Sequence, residues 1–358
     1  MIDIDGAYGE GGGQIIRTAL GLSCLFRKPF RMCHIRQGRK KPGLMPQHLT
    51  CVGAARLVSG AEVEGDRPGS TELFFSPGAA QEGTYSFDIG TAGSTSLVLQ
   101  TLIPALLFTG GMSSITLTGG THVPFSPPFD FLSGVFVPLL ERLGTRVRLS
   151  IETYGFYPKG GGRIRADIFP ADRIGHLDLT ERGAVRSIIG HSGVGGLPPS
   201  IADRQQQAAI ARISASANEL VDITAIDTVN VRTRGKGTFV CLECRSEHSL
   251  AGFSALGSLG KRAETVGEEA AAGLIHYYRS GAALDRHLAD QAVLYLALSD
   301  QGSVFTTEAV TNHLITNLWA IGLFHHYHYE VEGSLGEKGI VRITPAGKIG
   351  ERTAPALT

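Results

Sequence analysis

Between residues 13 and 26 the apolar positions recur with helical spacing. Ile15, Ile16, Ala19, Leu20 and Phe26 fall on one face, and Gln14, Arg17 and Thr18 on another. Gly11, Gly12 and Gly13 precede this run and follow a short strand-like start, so DGAYGEGGGQIIRTALGL predicts a strand, a glycine turn and a helix. A strand is predicted around Phe30 to Ile35, a helix over Leu49 to Leu57, and short strands within GAEVEG, STELFFSPG and TYSFDIG. The theme then recurs over residues 90–108, GTAGSTSLVLQTLIPALLF, where Val98-Leu99-Gln100-Thr101 lines up with Ile15-Ile16-Arg17-Thr18. The strand SSITLTGG and the helical HVPFSPPFDFLSGVFVPLLERLG follow. A strand–turn–helix unit returning at this distance points to a repeated α/β module, against the competing reading of two amphipathic helices matching by chance.

After YGFYPKGGG, residues 154–162, the texture changes. From about Arg186 to Gly273 a helical stretch (IADRQQQAAIARISAS) precedes the strand-like VDITAIDT and KGTFVCLECRS, and a long helix closes the segment. The fold class expected is α/β (α+β), with a large domain from residues 1–185 and 274–345, a small inserted α/β domain over 186–273, and a loose tail over 346–358. The chain length of 358 residues accommodates that division. Its 33 basic and 33 acidic residues cancel, so any nucleic acid must be held by a local patch. No run reads as a membrane span and no signal pattern opens the chain, so no membrane partner is expected. Five scattered cysteines make no disulfide framework, which suits a reducing compartment, cytoplasmic or, in a eukaryote, nuclear.

The glycine turn leaves room for close ligand approach, and the helix after it presents free N–H groups and a positive dipole end. Glu10 just before it and Arg17 one turn into the helix would handle a metal and a phosphate. The alternative is a turn packed closely beneath its helix. No G-K-[ST] follows, so this is not a Walker A loop. Arg36, Arg39, Lys40 and Lys41 precede the turn Pro42-Gly43 and would track a phosphodiester backbone, or form a solvated loop; Gln47 and His48 open the next helix beside the same crevice. Cys241 and Cys244 lie three apart in a predicted strand, so they face opposite sides and do not jointly ligate a metal. His326 and His328 share a strand face without a carboxylate or cysteine pattern to complete a site. Near the end, TNHLITNLWAI predicts a helix capped near Thr311, with Leu314, Ile315, Leu318 and Trp319 buried and Asn317 one turn beyond His313. His313 in the first turn feels the positive dipole end, which favours neutral imidazole, able to act as nucleophile or base. A capping or surface histidine is the alternative there.

Taken together, GEGGGQIIRTAL, IRQGRKKPGLMPQHL, GTAGSTSLVLQT, GFYPKGGG, HLADQ and TNHLITN resemble the RNA 3′-terminal phosphate cyclase family, in the family's order, from residue 5 to about 344. The resemblance implies a large domain of three repeated βαβ-type modules like the C-terminal domain of a bacterial initiation factor, with a small domain inserted before the third. It implies an ATP-dependent ligase-type enzyme that converts an RNA 3′-terminal phosphate to a 2′,3′-cyclic phosphate. By that resemblance His313 takes AMP covalently from ATP and passes it to the RNA end, giving an RNA-adenylate. Glu10 would hold a divalent metal, Mg²⁺ or Mn²⁺, and Arg17, Arg36, Arg39, His48 and Gln100 would line the phosphate crevice, with Arg36, Arg39 and Lys40 toward the RNA phosphate. Asp290 and Gln291 match adenosine-contacting positions and Pro127 one face of the adenine sandwich. His287 stands where the family has a stacking tyrosine, and Tyr154 where it has an arginine or histidine. Non-catalytic relatives that act as ribosome-biogenesis scaffolds lack the nucleophile that His313 provides, and carboxyvinyl transferases, also built from repeated α/β modules, do not share these motifs. Neither the physiological RNA nor the oligomeric state is implied.

Overall fold

The computed structural model describes residues 1–346. The expected tail lies, apart from Ala346, outside the described residues. The first sheet is built by β1 (Ile2–Asp5), α1 (Gly13–Phe26), β2 (Phe30–Cys33), α2 (Pro46–Ser59), β3 (Glu62–Glu64) and β4 (Leu73–Ser76). Its strand order is β1-β2-β4-β3; β1 and β2 run parallel and the other pairs antiparallel. A parallel pair cannot be closed by a tight turn, so α1 serves as the crossover.

The same order and senses return in the second sheet, β5-β6-β8-β7. It is made by β5 (Thr84–Asp88), α3 (Thr95–Leu106), β6 (Ser113–Gly119), a helical stretch from α4 (Phe129–Phe131) through a π-turn at Leu132–Phe136 to α5 (Val137–Arg142), then β7 (Arg146–Thr153) and β8 (Gly162–Phe169). The third sheet begins with the two-residue β9 (Asp178–Leu179). Before it resumes, the chain forms β10 (Val185–Gly195), α6 (Ser200–Ser216), a 3₁₀ turn at Asn218–Ile223, β11 (Thr224–Asn230), β12 (Gly237–Ser246), β13 (Leu250–Leu256) and α7 (Ala263–Ser280). Those four strands make a separate sheet, β11-β10-β12-β13, covered by α6 and α7. Then α8 (Arg286–Ala297), β14 (Ser303–Thr307), α9 (Asn312–Phe324), β15 (Tyr327–Glu332) and β16 (Gly339–Pro345) complete the third sheet, ordered β9-β14-β16-β15 with the senses of the first two.

Two details differ from the sequence reading. The segment with its own sheet leaves the chain after β9, within the third sheet's run, and α7 continues to Ser280, so an edge at 273 would cut a helix. A two-residue strand is too short to carry a readable alternation.

The first three sheets share one apolar core with α1, α2, α3, α8 and α9, whereas the fourth sheet packs α6 and α7 in a core of its own. Helix α1 touches α2, α3 and α9 at once. That enclosure buries Gln14 and Thr18 along with Ile15, Ile16, Ala19 and Leu20, so the face read as polar is interior too. Among the described residues no helix is long and apolar enough to cross a membrane.

Candidate active site

The N-termini of α1 and α9, from opposite ends of the chain, converge. Gly9 makes this possible: it holds φ +57°, and a Cβ there would lie 2.4 Å from Thr316 Oγ1, so the loop lies hard against α9. Tyr8 then stacks on Trp319, centroids 3.8 Å apart, a contact worth roughly 0.5–1.5 kcal/mol. Trp319 and Ile315 are consequently half-exposed, not in the buried stripe expected for them; Thr316, Ile321 and Phe324 join Leu314 and Leu318 inside. Thr311 caps α9, its hydroxyl accepting from the Leu314 N–H at 3.0 Å, which leaves His313 in the first turn. The Gln14 side-chain amide ties the two ends: its Nε2 donates to the His313 carbonyl at 3.0 Å.

Around this junction the charged groups close up. His313 Nε2 lies 2.5 Å from Glu10 Oε2, an approach not aligned as a hydrogen bond, and His313 Nδ1 lies 4.0 Å from Asp290 Oδ2. Arg39 donates to Glu10 Oε1 at 2.7 Å. No side chain caps the first turn of α1. His48 reaches the same turn: a Cβ on Gly13 would sit 2.2 Å from His48 Nε2 and 3.1 Å from an Arg17 guanidinium nitrogen. Thus Glu10, Arg17, Arg39, His48 and His313 meet around one helix start, an arrangement suited to gathering phosphate oxygens.

A second set of contacts flanks that cluster. Gln100 on α3 donates to Gln291 on α8 at 2.5 Å. Thr18 donates to Asn317 Oδ1 at 2.8 Å, and Asn317 Nδ2 donates to the Asp290 carbonyl at 2.6 Å, tying α1, α9 and α8 together. Asn317→Ala would leave the buried Thr18 hydroxyl without its acceptor and is expected to cost about 1–3 kcal/mol, read as a lowered urea midpoint. His287 is exposed in the first turn of α8, its N–H held by the N-cap Asp285 at 2.9 Å. Arg36 is committed to its own loop, donating to the carbonyls of Lys41 at 2.9 Å and Gly43 at 2.8 Å. Lys40 is exposed on that loop, and Pro127 lies half-buried in the loop before α4 with no described contact to the cluster.

The two histidines differ in electrostatics. Burial, with Arg17 and Arg36, pushes His48 down to about 3. Its Nδ1 accepts the Met45 N–H at 3.1 Å, so the neutral ring carries its proton on Nε2, as a donor toward the α1 turn. Since the unfolded value is 6.5, the unfolded chain binds the extra proton as pH falls from 6.5 toward 3. The contribution to stability is whole above 6.5 and lost across that window, on the order of 5 kcal/mol. His48→Gln should therefore show a shallower fall in stability with acid than the parent, measured by urea unfolding at several pH values. For His313, burial lowers the value, Glu10 opposes, and Arg17 and Arg39 add to the lowering, so the ring is neutral at pH 7. Burial and Asp285 raise Asp290 well above the usual carboxylate range.

Cys241 and Cys244 sit in β12 on opposite faces, the first against Phe156 and Phe239, the second in the fourth sheet's own core. A cavity of about 100 Å³ between the α4 region and the fourth sheet, bordered by Asp130, His191, Cys241 and Glu243, stands apart from the His313 cluster. The convergence of charge, rather than the enclosed space, marks the site. The contacts of Gln14 and Tyr8 with α9 join residues about 300 apart in the chain and left no signal in a single sequence.

The chain matches the family model described as RNA 3′-terminal phosphate cyclase over residues 8–331. It is 44% identical over 343 residues to the RNA 3′-terminal phosphate cyclase of Ralstonia nicotianae, covering 96% of each chain. Against the protein of that name from Sulfolobus acidocaldarius the figures are 45% over 335 residues, 93% of this chain and 98% of the relative. For that from Pyrobaculum neutrophilum they are 42% over 351 residues, 97% and 99%.

Proposed function

Because the chain belongs to the RNA 3′-terminal phosphate cyclase family, we propose that the cluster around His313 carries the ATP-dependent conversion of an RNA 3′-phosphate to a 2′,3′-cyclic phosphate. The observation that carries this reading is the placement of His313 between Glu10 and Asp290, at a helix start beside Arg17 and Arg39. The His313 Nε2 lone pair attacks the α-phosphorus of ATP, an N–P bond forms, and pyrophosphate leaves with the broken P–O bond. An oxygen of the RNA 3′-phosphate then displaces His313 from AMP. Finally the 2′-hydroxyl attacks the activated 3′-phosphorus, and AMP departs.

Phosphoryl transfer relies on positioning and on neutralising charge, and this chain's residues supply both. Arg17, Arg39 and the His48 Nε2–H face the phosphate oxygens. Gln100, Gln291, Asp290 and the exposed His287 border the nucleoside side, with Pro127 as the second face for the base. For Nε2 to attack, the ring proton must sit on Nδ1, the side of Asp290. Glu10 now stands across Nε2, so it must turn aside when nucleotide enters. A divalent cation, Mg²⁺ or Mn²⁺, fits there: Glu10 Oε2 is buried without an aligned hydrogen bond, and one carboxylate plus phosphate oxygens is a usual donor set. Bound, it would neutralise phosphate charge.

The same reading takes the three like-ordered sheets as repeats of one module, resembling the C-terminal domain of a bacterial initiation factor. The segment carrying β10 to β13 is then an inserted domain. Their shared strand order and senses, and the separate core of the fourth sheet, support this. Five free thiols suit a reducing, cytoplasmic setting.

The test is to supply the protein with ATP, a divalent cation and a 3′-phosphorylated RNA and to assay for a phosphatase-resistant end. A cyclic end formed only with ATP is expected; an unaltered 3′-phosphate would favour the non-catalytic alternative. Because the His313 value lies below 6.5, adduct formation should be flat through neutral pH and fall only on the acid side of 6.5.

A further inference from the structure

Equal numbers of acidic and basic residues give this chain no general attraction for RNA, so a strand longer than its reacting end needs a local cationic track. Near His313 the cations are largely committed, Arg39 to Glu10 and Arg36 to carbonyls of its own loop. A second group stands where the glycine-rich loop 154–162 meets the loop 231–236 of the fourth sheet. The Tyr154 N–H donates to the Arg232 carbonyl at 2.8 Å. A Cβ on Gly161 would lie 3.3 Å from Arg234 Cδ, one on Gly235 3.5 Å from Lys159 Cβ, and one on Gly196 3.4 Å from Lys236 Cγ. Lys159, Arg232, Arg234 and Lys236 are all exposed. None of the four takes part in an ion pair among the described residues, although sixteen such pairs are formed elsewhere. Tyr157, 69% exposed, rises from the same loop.

A chain of contacts leads from this rim to the candidate site. A Cβ on Gly160 would touch the Thr91 carbonyl at 2.7 Å, so the glycine-rich loop rests on the turn before α3. In that turn the Ser94 N–H donates to Gln47 Oε1 at 3.0 Å, and Gln47 is followed by His48, whose Nε2 faces Gly13. Unpaired cations beside an exposed aromatic ring are the pattern by which proteins hold single strands, through phosphate contacts and base stacking. Four like charges near one joint bring repulsion, and none of them makes an ion pair among the described residues to offset it.

We propose that the single-stranded RNA upstream of the reacting 3′ end runs over this rim, its phosphates held by Lys159, Arg232, Arg234 and Lys236 and one base stacked on Tyr157. The inference rests on the cyclase reading for where the 3′ end lies. It assigns the segment bearing the fourth sheet a share in substrate binding, because Arg232, Arg234 and Lys236 come from that segment and Lys159 from the second sheet's loop.

The test compares Lys159→Ala/Arg234→Ala with Arg31→Ala/Arg212→Ala, a pair of exposed cations elsewhere that removes the same charge. The RNA is a 3′-phosphorylated single strand of roughly twelve nucleotides, a length within the usual site sizes. The rim pair should raise KM for it about tenfold and make the log–log salt dependence of binding shallower by about 1.4, near 0.7 for each lost phosphate contact. Adduct formation from ATP and KM for a 3′-phosphorylated dinucleotide should not change, and Tyr157→Ala should weaken binding of the longer strand severalfold. Equal weakening by the control pair, or equal loss on the dinucleotide, would overturn the rim. Fluorescence anisotropy with the longer strand judges the rim even if the parent protein forms no cyclic end, an outcome that would sink the cyclase reading alone.

Discussion

His313→Ala is expected to form no covalent adduct when incubated with ATP and a divalent cation, whereas the parent protein should carry AMP through an acid-labile, base-stable bond. That lability belongs to a phosphoramidate and not to a phosphoester on serine. Overall cyclisation should fall by roughly three orders of magnitude or more, the usual scale for losing a nucleophile. Folding should survive: the His313 side chain is 47% exposed, and the Thr311 cap and the carbonyl that takes the Gln14 amide do not depend on it. An RNA already carrying AMP on its 3′-phosphate separates the steps, since the variant should still cyclise it at an appreciable rate. His48 is the rival, and geometry argues against it: with Nδ1 engaged by the Met45 N–H, its Nε2 bears a proton and has no lone pair to offer. If His313→Ala still forms the labile adduct while His48→Ala does not, the assignment passes to His48.

Gly13→Ala is the second large effect. The added methyl would start 2.2 Å from His48 Nε2 and 3.1 Å from an Arg17 guanidinium nitrogen, far inside contact distance. His48 is buried and pinned at Nδ1, so it cannot swing clear without giving up that bond. The ring and the guanidinium must therefore leave the α1 turn, and about 10²-fold should be lost from the adduct-forming rate, as expected for a misplacement near 1 Å. Gly13 begins α1, where alanine favours the helix, so the thermal midpoint should change little by comparison. A variant with normal adduct formation would show that the turn does not hold the phosphates.

Much of this site was legible in the chain. First-turn placement of His313, the glycine turn before α1 and the polar opening of α2 are local patterns, and the helices bear them out. What failed to show was enclosure and distance. Periodicity assigns Gln14 and Thr18 to a polar face because it sees one helix at a time, whereas three neighbours bury α1 on every side. Trp319 reads as core by spacing, yet it serves as a platform for Tyr8. The strand β9 is too short to register. The loops bearing Lys159 and Arg234 meet although they come from different sheets, which no spacing rule connects.

The pairing of Gln14 with His313 and of Thr18 with Asn317 spans 299 residues in each case. On a ribosome the glycine turn emerges 299 residues before its partners on α9 and waits, incomplete, for that length of chain. With residues added at roughly 5–20 per second, that wait lasts on the order of tens of seconds. During it α1 lacks one of its three helical walls, and Gln14 and Thr18 have no partners. A nascent chain lacking α9 lacks His313, so on the cyclase reading proposed above it should form no adduct with ATP. On that reading the order of synthesis holds the reaction back until α9 docks on α1.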